Sequence, residues 1–234
     1  NSSFVIVLLW LLGGVTVQPQ NGNGSVEEIR TLYPSEWNVG YPAGLAYAST
    51  FDQIFLLNRA NSGSLQATRP TMAVITPYED LVAMVQLPVT MDDVINMTYD
   101  DANQKLLLLD NKGGKLAQFT IGEAGQLDDS AYFDIAHFGL EDAEGMAIDA
   151  VGRHLFLLDK GALQVIRADI DNGFRSISRV DIKHLGSRNV RGIAVHPRSH
   201  NLFIVSSSKN MLYELTQAGQ IVNRYDLAPL ELVD

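Results

Sequence analysis

The chain has 234 residues, 46% of them hydrophobic and 19% charged, with a formal net charge of −10 at neutral pH. It contains no cysteine, which excludes disulfide scaffolds, thiolate zinc sites and cysteine nucleophiles. Nineteen glycines among so few charges exclude a coiled coil or a long disordered chain, and the acidic excess speaks against a nucleic-acid partner, which would call for a Lys/Arg surplus on one face.

Residues 1–24 open with the run from Phe4 to Val15, which carries no polar side chain. It is shorter than the ~20 apolar residues that a membrane span needs. Two readings stay open for it. One is a buried strand from Phe4 to Trp10, a Gly13-Gly14 turn and a second strand from Val15 to Val17. The other is the remnant of a secretory signal or anchor, with membrane attachment through a more N-terminal segment, since the chain does not begin with Met. Ser25 to Leu32 is strand-like as well.

From Tyr41 onward the chain repeats itself. Ala43-Gly44-Leu45-Ala46-Tyr47 returns as Ile95-Asn96-Met97-Thr98-Tyr99, Glu144-Gly145-Met146-Ala147-Ile148 and Arg191-Gly192-Ile193-Ala194-Val195, with Leu45, Met97, Met146 and Ile193 separated by 52, 49 and 47 residues. A second run follows each copy: Ile54 to Asn58, Leu106 to Asp110, Leu155 to Asp159 and Leu202 to Ser206 show the same steps of 52, 49 and 47. Third stretches lie at Met72–Thr76, Leu116–Thr120, Leu163–Ala168 and Met211–Thr216. Fourth stretches lie at Leu81–Leu87, Tyr132–His137, Ser176–Ile182 and Gln220–Leu227. The second runs are continuously apolar, as strands buried on both faces are. The last stretch alternates, with Ile221, Asn223 and Tyr225 on one side, as a half-exposed outer strand does.

Gly and Asn clusters such as Asn111-Lys112-Gly113-Gly114 and Ala218-Gly219 supply the joins, and no sustained 3.6-residue period appears. The expectation is an all-β fold: a β-propeller of four-stranded antiparallel blades at about 41–90, 91–140, 141–188 and 189–234, within a propeller domain over residues 25–234. Phe4 to Trp10, Val15 to Val17 and Ser25 to Leu32 then read as the second, third and fourth strands of a partial N-terminal blade. A C-terminal strand completing that blade would give a five-bladed ring; further chain would give six. Some closing contact is expected, from a donated strand or a second copy, because open edges invite aggregation. Gly44, Gly145 and Gly192 fall on the innermost strands, where blades crowd around the axis and backbones approach closely; Asn96 takes that place in the second blade.

The repeated x-Gly-Leu/Ile-Ala motif followed by Leu-Phe-Leu-Leu-Asp resembles NHL-repeat and TolB-like propellers. The segment Tyr33-Pro34-Ser35-Glu36-Trp37-Asn38 leading into Pro42 to Tyr47 is similar to bacterial secreted proteins of the SdiA-regulated or esterase-like-phytase kind. This resemblance covers roughly residues 25–234. It implies a secreted or cell-surface propeller, one module of a larger surface protein or assembly. It also raises a metal-dependent lactonase or phosphoesterase as the alternative, because in gluconolactonase-like relatives the residue before the first-strand glycine ligates calcium or zinc in the central channel. The equivalent residues here are Ala43, Ile95, Glu144 and Arg191. Only Glu144 suits calcium, with Asn96 one place out of register.

The residues themselves point elsewhere. Divalent cations need several oxygens at once, and Arg191 sets a fixed cation beside Glu144. Glu144, Arg191, Asp93 and Asn96 are therefore read as polar groups at a channel mouth, with Glu144 and Arg191 paired across neighbouring blades. Asp110 and Asp159, at the ends of second strands, read as turn residues. The five histidines show no ligand spacing, and Ser206-Ser207-Ser208 lacks a nucleophile-elbow context. Acids dominate from Asp128 to Asp159 and bases from Lys160 to Arg198. The expected function is a non-enzymatic scaffold or interaction module for a protein or glycan partner, with no cofactor.

Overall fold

The computed structural model describes residues 6–7, 24–25, 31–59, 69–88, 90–91, 93–110, 114–122 and 125–228. In chain order the strands are β1 (Ile6–Val7), β2 (Gly24–Ser25), β3 (Thr31–Leu32), β4 (Pro42–Ala48), β5 (Gln53–Asn58), β6 (Thr71–Ile75), β7 (Leu81–Gln86), β8 (Val94–Asp100), β9 (Lys105–Asp110), β10 (Lys115–Ile121) and β11 (Leu127–Asp134). There follow β12 (Ala143–Asp149), β13 (His154–Asp159), β14 (Gln164–Asp169), β15 (Ile177–Asp181), β16 (Val190–Val195), β17 (Leu202–Ser206), β18 (Met211–Leu215) and β19 (Ile221–Asp226). Each run of four from β4 to β19 forms one antiparallel up-and-down blade, and the four blades are arranged as a β-propeller. The innermost strands stand side by side in the order β4, β8, β12, β16.

The continuous apolar second runs follow from this stacking. In β9, Leu106 and Leu108 face the first blade while Leu107 and Leu109 face the third, and all four are buried. In β13, Leu155 and Leu157 face the second blade, and Phe156 and Leu158 face the fourth. Side chains alternate across a strand, so a strand with a blade on each side must be apolar at every position. Fully burying one such side chain is worth about 1.5–3 kcal/mol.

The glycines differ in what they do. A Cβ on Gly44 would stand 2.9 Å from the amide nitrogen of Met97, and one on Gly145 would stand 2.8 Å from that of Ile193. Both positions let inner strands approach backbone to backbone. Gly192 does not: nothing lies within 4 Å of its Cβ position, and its φ is +57°. There the glycine meets a left-handed backbone rather than a crowded neighbour, because it is the residue held out of the ladder where the register of β16 shifts between Arg191 and Ile193. One outer strand also departs from the sequence expectation. The fourth strand of the second blade runs over Leu127–Asp134, and His137 falls in a 3-10 turn (Ala136–Phe138). Asp134 Oδ1 accepts the Ala136 amide at 2.9 Å and ends the strand. The acidic stretch at its start is tolerated because an outer strand faces water.

Inner strands β16 and β4 do not pack side by side among the described residues. The flank of the first blade is covered instead by Leu32, Trp37 and Val39, which pack on Ile54, Leu56, Ala73 and Ile75. β1 pairs antiparallel with β3, while β2 adds a fifth, parallel strand to the outer edge of β19. The strands expected at Val15 to Val17 and Leu230 to Asp234, and most of Phe4 to Trp10, lie outside the described residues. Only residues 26–30 separate Ser25, on the last blade, from Thr31, beside the first.

An alanine methyl at Gly145 has backbone in its way. Gly145→Ala is expected to lower the unfolding free energy by about 1–3 kcal/mol. Gly40 has nothing within 4 Å of its Cβ position, and Gly40→Ala is expected to stay within ~0.5 kcal/mol of the parent. Urea denaturation of the two variants checks the contrast.

Candidate functional site

At the end of the propeller where the inner strands begin, each first strand carries a β-bulge. Register slips between Pro42 and Gly44, between Val94 and Asn96, between Ala143 and Gly145 and, one place later in the motif, between Arg191 and Ile193. A bulge holds one residue out of the ladder and re-aims its side chain. In β12 that residue is Glu144. Its carboxylate lies between two cations: Lys160 Nζ bonds to Oε1, and Arg191 Nη1 stands 3.2 Å from Oε1 and 3.3 Å from Oε2. Lys160 also reaches Asp142 at 3.0 Å. The hydrogen bond to Glu144 is the largest influence on the Lys160 ammonium and, with the bond to Asp142, raises its pKa although burial opposes this.

The other residues singled out in the sequence divide. Asn96 joins the group, donating Nδ2 to the Glu144 carbonyl at 3.3 Å. Asp93 does not; it pairs with Arg59 at 3.2 Å. Asp159 is buried and accepts the amides of Glu141 (3.3 Å), Asp142 (2.9 Å) and Ala162 (3.5 Å), with Gln164 Nε2 at 3.0 Å. It thereby fixes both its own turn and the loop leading to Glu144. Asp110, also buried, borders a cavity of about 110 Å³ with Ile95, Leu109, Ile135 and Glu141.

The site does not suit a divalent cation. Of Ala43, Ile95, Glu144 and Arg191, Glu144 alone offers a carboxylate, and two cations already neutralise it. Among the described residues no three His, Asp or Glu side chains gather as a ligand set.

A second cluster, at the opposite end, was not singled out in the sequence. The hairpins between first and second strands each place a non-glycine residue in the left-handed region at one register: Asp52, Gln104, Arg153 and His200, with φ of 51°, 54°, 55° and 59°. Two of these are arms to the preceding blade. Arg153 Nη1 reaches both oxygens of buried Asp100 at 3.1 Å, and His200 Nδ1 stands 2.9 Å from Asp149 Oδ1. Asp149 also accepts Gly152 N–H at 3.0 Å and Gln217 Nε2 at 2.8 Å. A cavity of about 350 Å³ opens beside it, lined by Val151, Ser199 and Asn201. The arrangement orients the His200 ring but completes no hydrolytic triad, because Ser199 Oγ is turned to His196 Nδ1 at 3.0 Å. The only signal in the sequence was the recurrence of a residue seven places after Leu45, Met97, Met146 and Ile193.

No family model matches the chain, and no curated protein does. Among solved structures it is similar to glutaminyl cyclase from Myxococcus xanthus (TM-score 0.58, 16% identity, 82% of this chain and 73% of that one). It is also similar to a nidogen/laminin complex structure (0.52, 11%, 79% and 80%) and to a streptogramin B lyase (0.48, 12%, 80% and 54%). The protein is a β-propeller. At these identities the likeness speaks for the fold alone, and the chain spans about half the length of the streptogramin B lyase.

Burial would by itself raise the pKa of Asp149, but the bonds from Gly152, Gln217 and His200 outweigh it and hold the carboxyl below its ordinary value. A depressed folded value stabilises the native state above the unfolded pKa of about 4 and is lost as pH falls through the folded value. Asp149→Asn is expected to be less stable than the parent at neutral pH and to lose less on acidification to about pH 3. Urea midpoints across that range measure the difference in slope.

Proposed function

We propose that this chain is a non-enzymatic binding module whose channel-mouth face holds an anionic segment of a protein or glycan partner. The observation that carries this reading is a group of cations on the loops around the fourth blade, in a chain whose net charge is −10. Lys183 and Arg191 are 67% and 52% exposed, and Arg188 and Lys209 are exposed beside them. The loops that carry them are fastened to one another. Lys209 Nζ donates to the Leu185 carbonyl at 2.9 Å, and Ser187 Oγ meets Ser206 Oγ at 2.7 Å and Ser208 Oγ at 3.1 Å. Fixed loops carrying like charge raise the local concentration of a counter-charged partner.

Glu144 supports the same reading. Ion-paired on two sides, it serves as an anchor for Arg191 rather than as a general acid or a ligand. The likeness to a nidogen/laminin complex structure shows that this architecture occurs in a protein solved with another. The motifs resembling secreted NHL-type and TolB-like propellers favour work outside the cytoplasm, as part of a larger surface assembly.

Titration with heparin fragments and with poly-glutamate tests the proposal. One of them is expected to bind with an affinity that falls as salt rises. Reversing two charges, Lys183→Glu with Arg188→Glu, is expected to weaken binding about tenfold or more, each tenfold corresponding to ~1.4 kcal/mol. Failure of both ligands to bind, or an affinity indifferent to the reversal, would sink the reading. So would turnover of a lactone or phosphoester that depends on added calcium and on Glu144.

A further inference from the structure

The four outer strands are not equivalent. β11 carries Asp128 and Asp134, β15 carries Arg179 and Asp181, and β19 carries Arg224 and Asp226. β7 carries no charge from Leu81 to Gln86. Its Leu81, Val82 and Met84 are 47%, 41% and 40% exposed, and Tyr78 just before it is 81% exposed. Among the described residues no strand pairs with its outer edge, whereas the outer edge of β19 has taken up β2. Free edges are usually blunted by charge, proline, a bulge or cover; β7 carries no charge or proline, and its one bulge, at Val82, leaves Ala83 to Gln86 regular.

We propose that the outer edge of β7 is the surface through which two copies of this chain join. The strands would pair antiparallel about a two-fold axis, and the two first blades would become one eight-stranded sheet. Three observations select a second copy as the occupant. First, a two-fold contact must be complementary to itself, and a strand bearing one sign of charge would oppose itself. In β7, Ala83 and Val85 turn toward the core shared with the second blade, so Met84 and Gln86 share the other face, while Val82 sits in a bulge where the register against β6 shifts. Centring the axis on Met84 then sets Met84 against Met84 and Ala83 against Val85, apolar and uncharged throughout.

Second, the flanks are complementary. Asp80 is exposed at one end of β7. Arg69 is exposed at the other, because the Leu87 amide bonds to the Pro70 carbonyl at 3.1 Å. Reversing the second copy brings each Arg69 within side-chain reach of Asp80 of the partner subunit, twice per dimer. Third, two chains of −10 repel each other over most of their surface, which favours contact at an uncharged edge. This edge lies at the rim of the first blade and is independent of the cationic face of the fourth.

Sedimentation of the purified chain from low to high micromolar concentration tests the proposal, with melting by circular dichroism to show that each variant is folded. The mass is expected to rise toward twice that of one chain. Met84→Lys should abolish the rise. Arg69→Glu and Asp80→Lys should each raise the dissociation constant about tenfold or more, and combining them should restore it, since the ion pairs re-form with signs exchanged. A single-chain mass at every concentration overturns the proposal. So does a dimer that survives Met84→Lys, or a double variant no tighter than either single one.

Discussion

A sheet with two apolar faces has to be flanked on both sides, and this requirement organises the molecule. β9 and β13 are buried on both faces, so the blades that contain them persist only between neighbours. Stacking twisted sheets face to face around an axis satisfies this for interior members and leaves two terminal faces unmet. The first blade meets its debt with Leu32, Trp37 and Val39. Trp37 is further fixed by donating Nε1–H to the Glu79 carbonyl at 3.1 Å. The fourth blade answers differently. Phe203 and Val205 on its outward face are half-buried. Beside Phe203 stands Glu214, which accepts Asn201 and Asn223 amides at 2.6 Å and the Tyr225 hydroxyl at 2.9 Å. Burial would raise its pKa, yet these three bonds hold the carboxyl low. A satisfied polar network of this kind is compatible with water in a way that a bare apolar sheet is not.

Electrostatics acts between blades more than within them. Arg153 to Asp100, His200 to Asp149 and Arg191 to Glu144 all join consecutive blades, the first two at one end of the stack and the last at the other. Asp100 is fully buried, so its pair matters chiefly because either partner alone would be an unpaired charge away from water. Arg191 and Glu144 are more exposed and contribute less to stability. Their effect is positional: the bulge re-aims Glu144, and Glu144 then holds Arg191.

A similar fold occurs in a glutaminyl cyclase and in a nidogen/laminin complex structure, so the stack itself does not choose a chemistry. What distinguishes this chain is the side-chain set on the loops. At the position just before the first-strand glycine the blades present Ala43, Ile95, Glu144 and Arg191, and the single carboxylate among them is spent on two cations. The free edge of β7 is a separate resource of the same geometry, since every outer strand of a blade leaves one row of backbone groups to be managed.

The sequence by itself determined the blades. Two motifs recurring at common steps, with apolar runs too uniform for a one-sided strand, leave little alternative to radially stacked four-stranded sheets. It also determined the crowding at Gly44 and Gly145, because a glycine recurring inside an inner strand signals a close backbone. Only the tertiary structure decided the rest. Gly192 reads like the other two glycines, but it is the residue held out of the ladder between Arg191 and Ile193, with a positive φ. The bulge at Glu144 arises from how β12 matches β13, and a pairing register is not visible in one strand. Lys160 lies sixteen residues from Glu144 and on a different strand connection, and the His200 arm reaches an aspartate fifty-one residues away. Periodicity reports which face of a strand is buried; it carries no record of which charged side chain from the next blade arrives at that face.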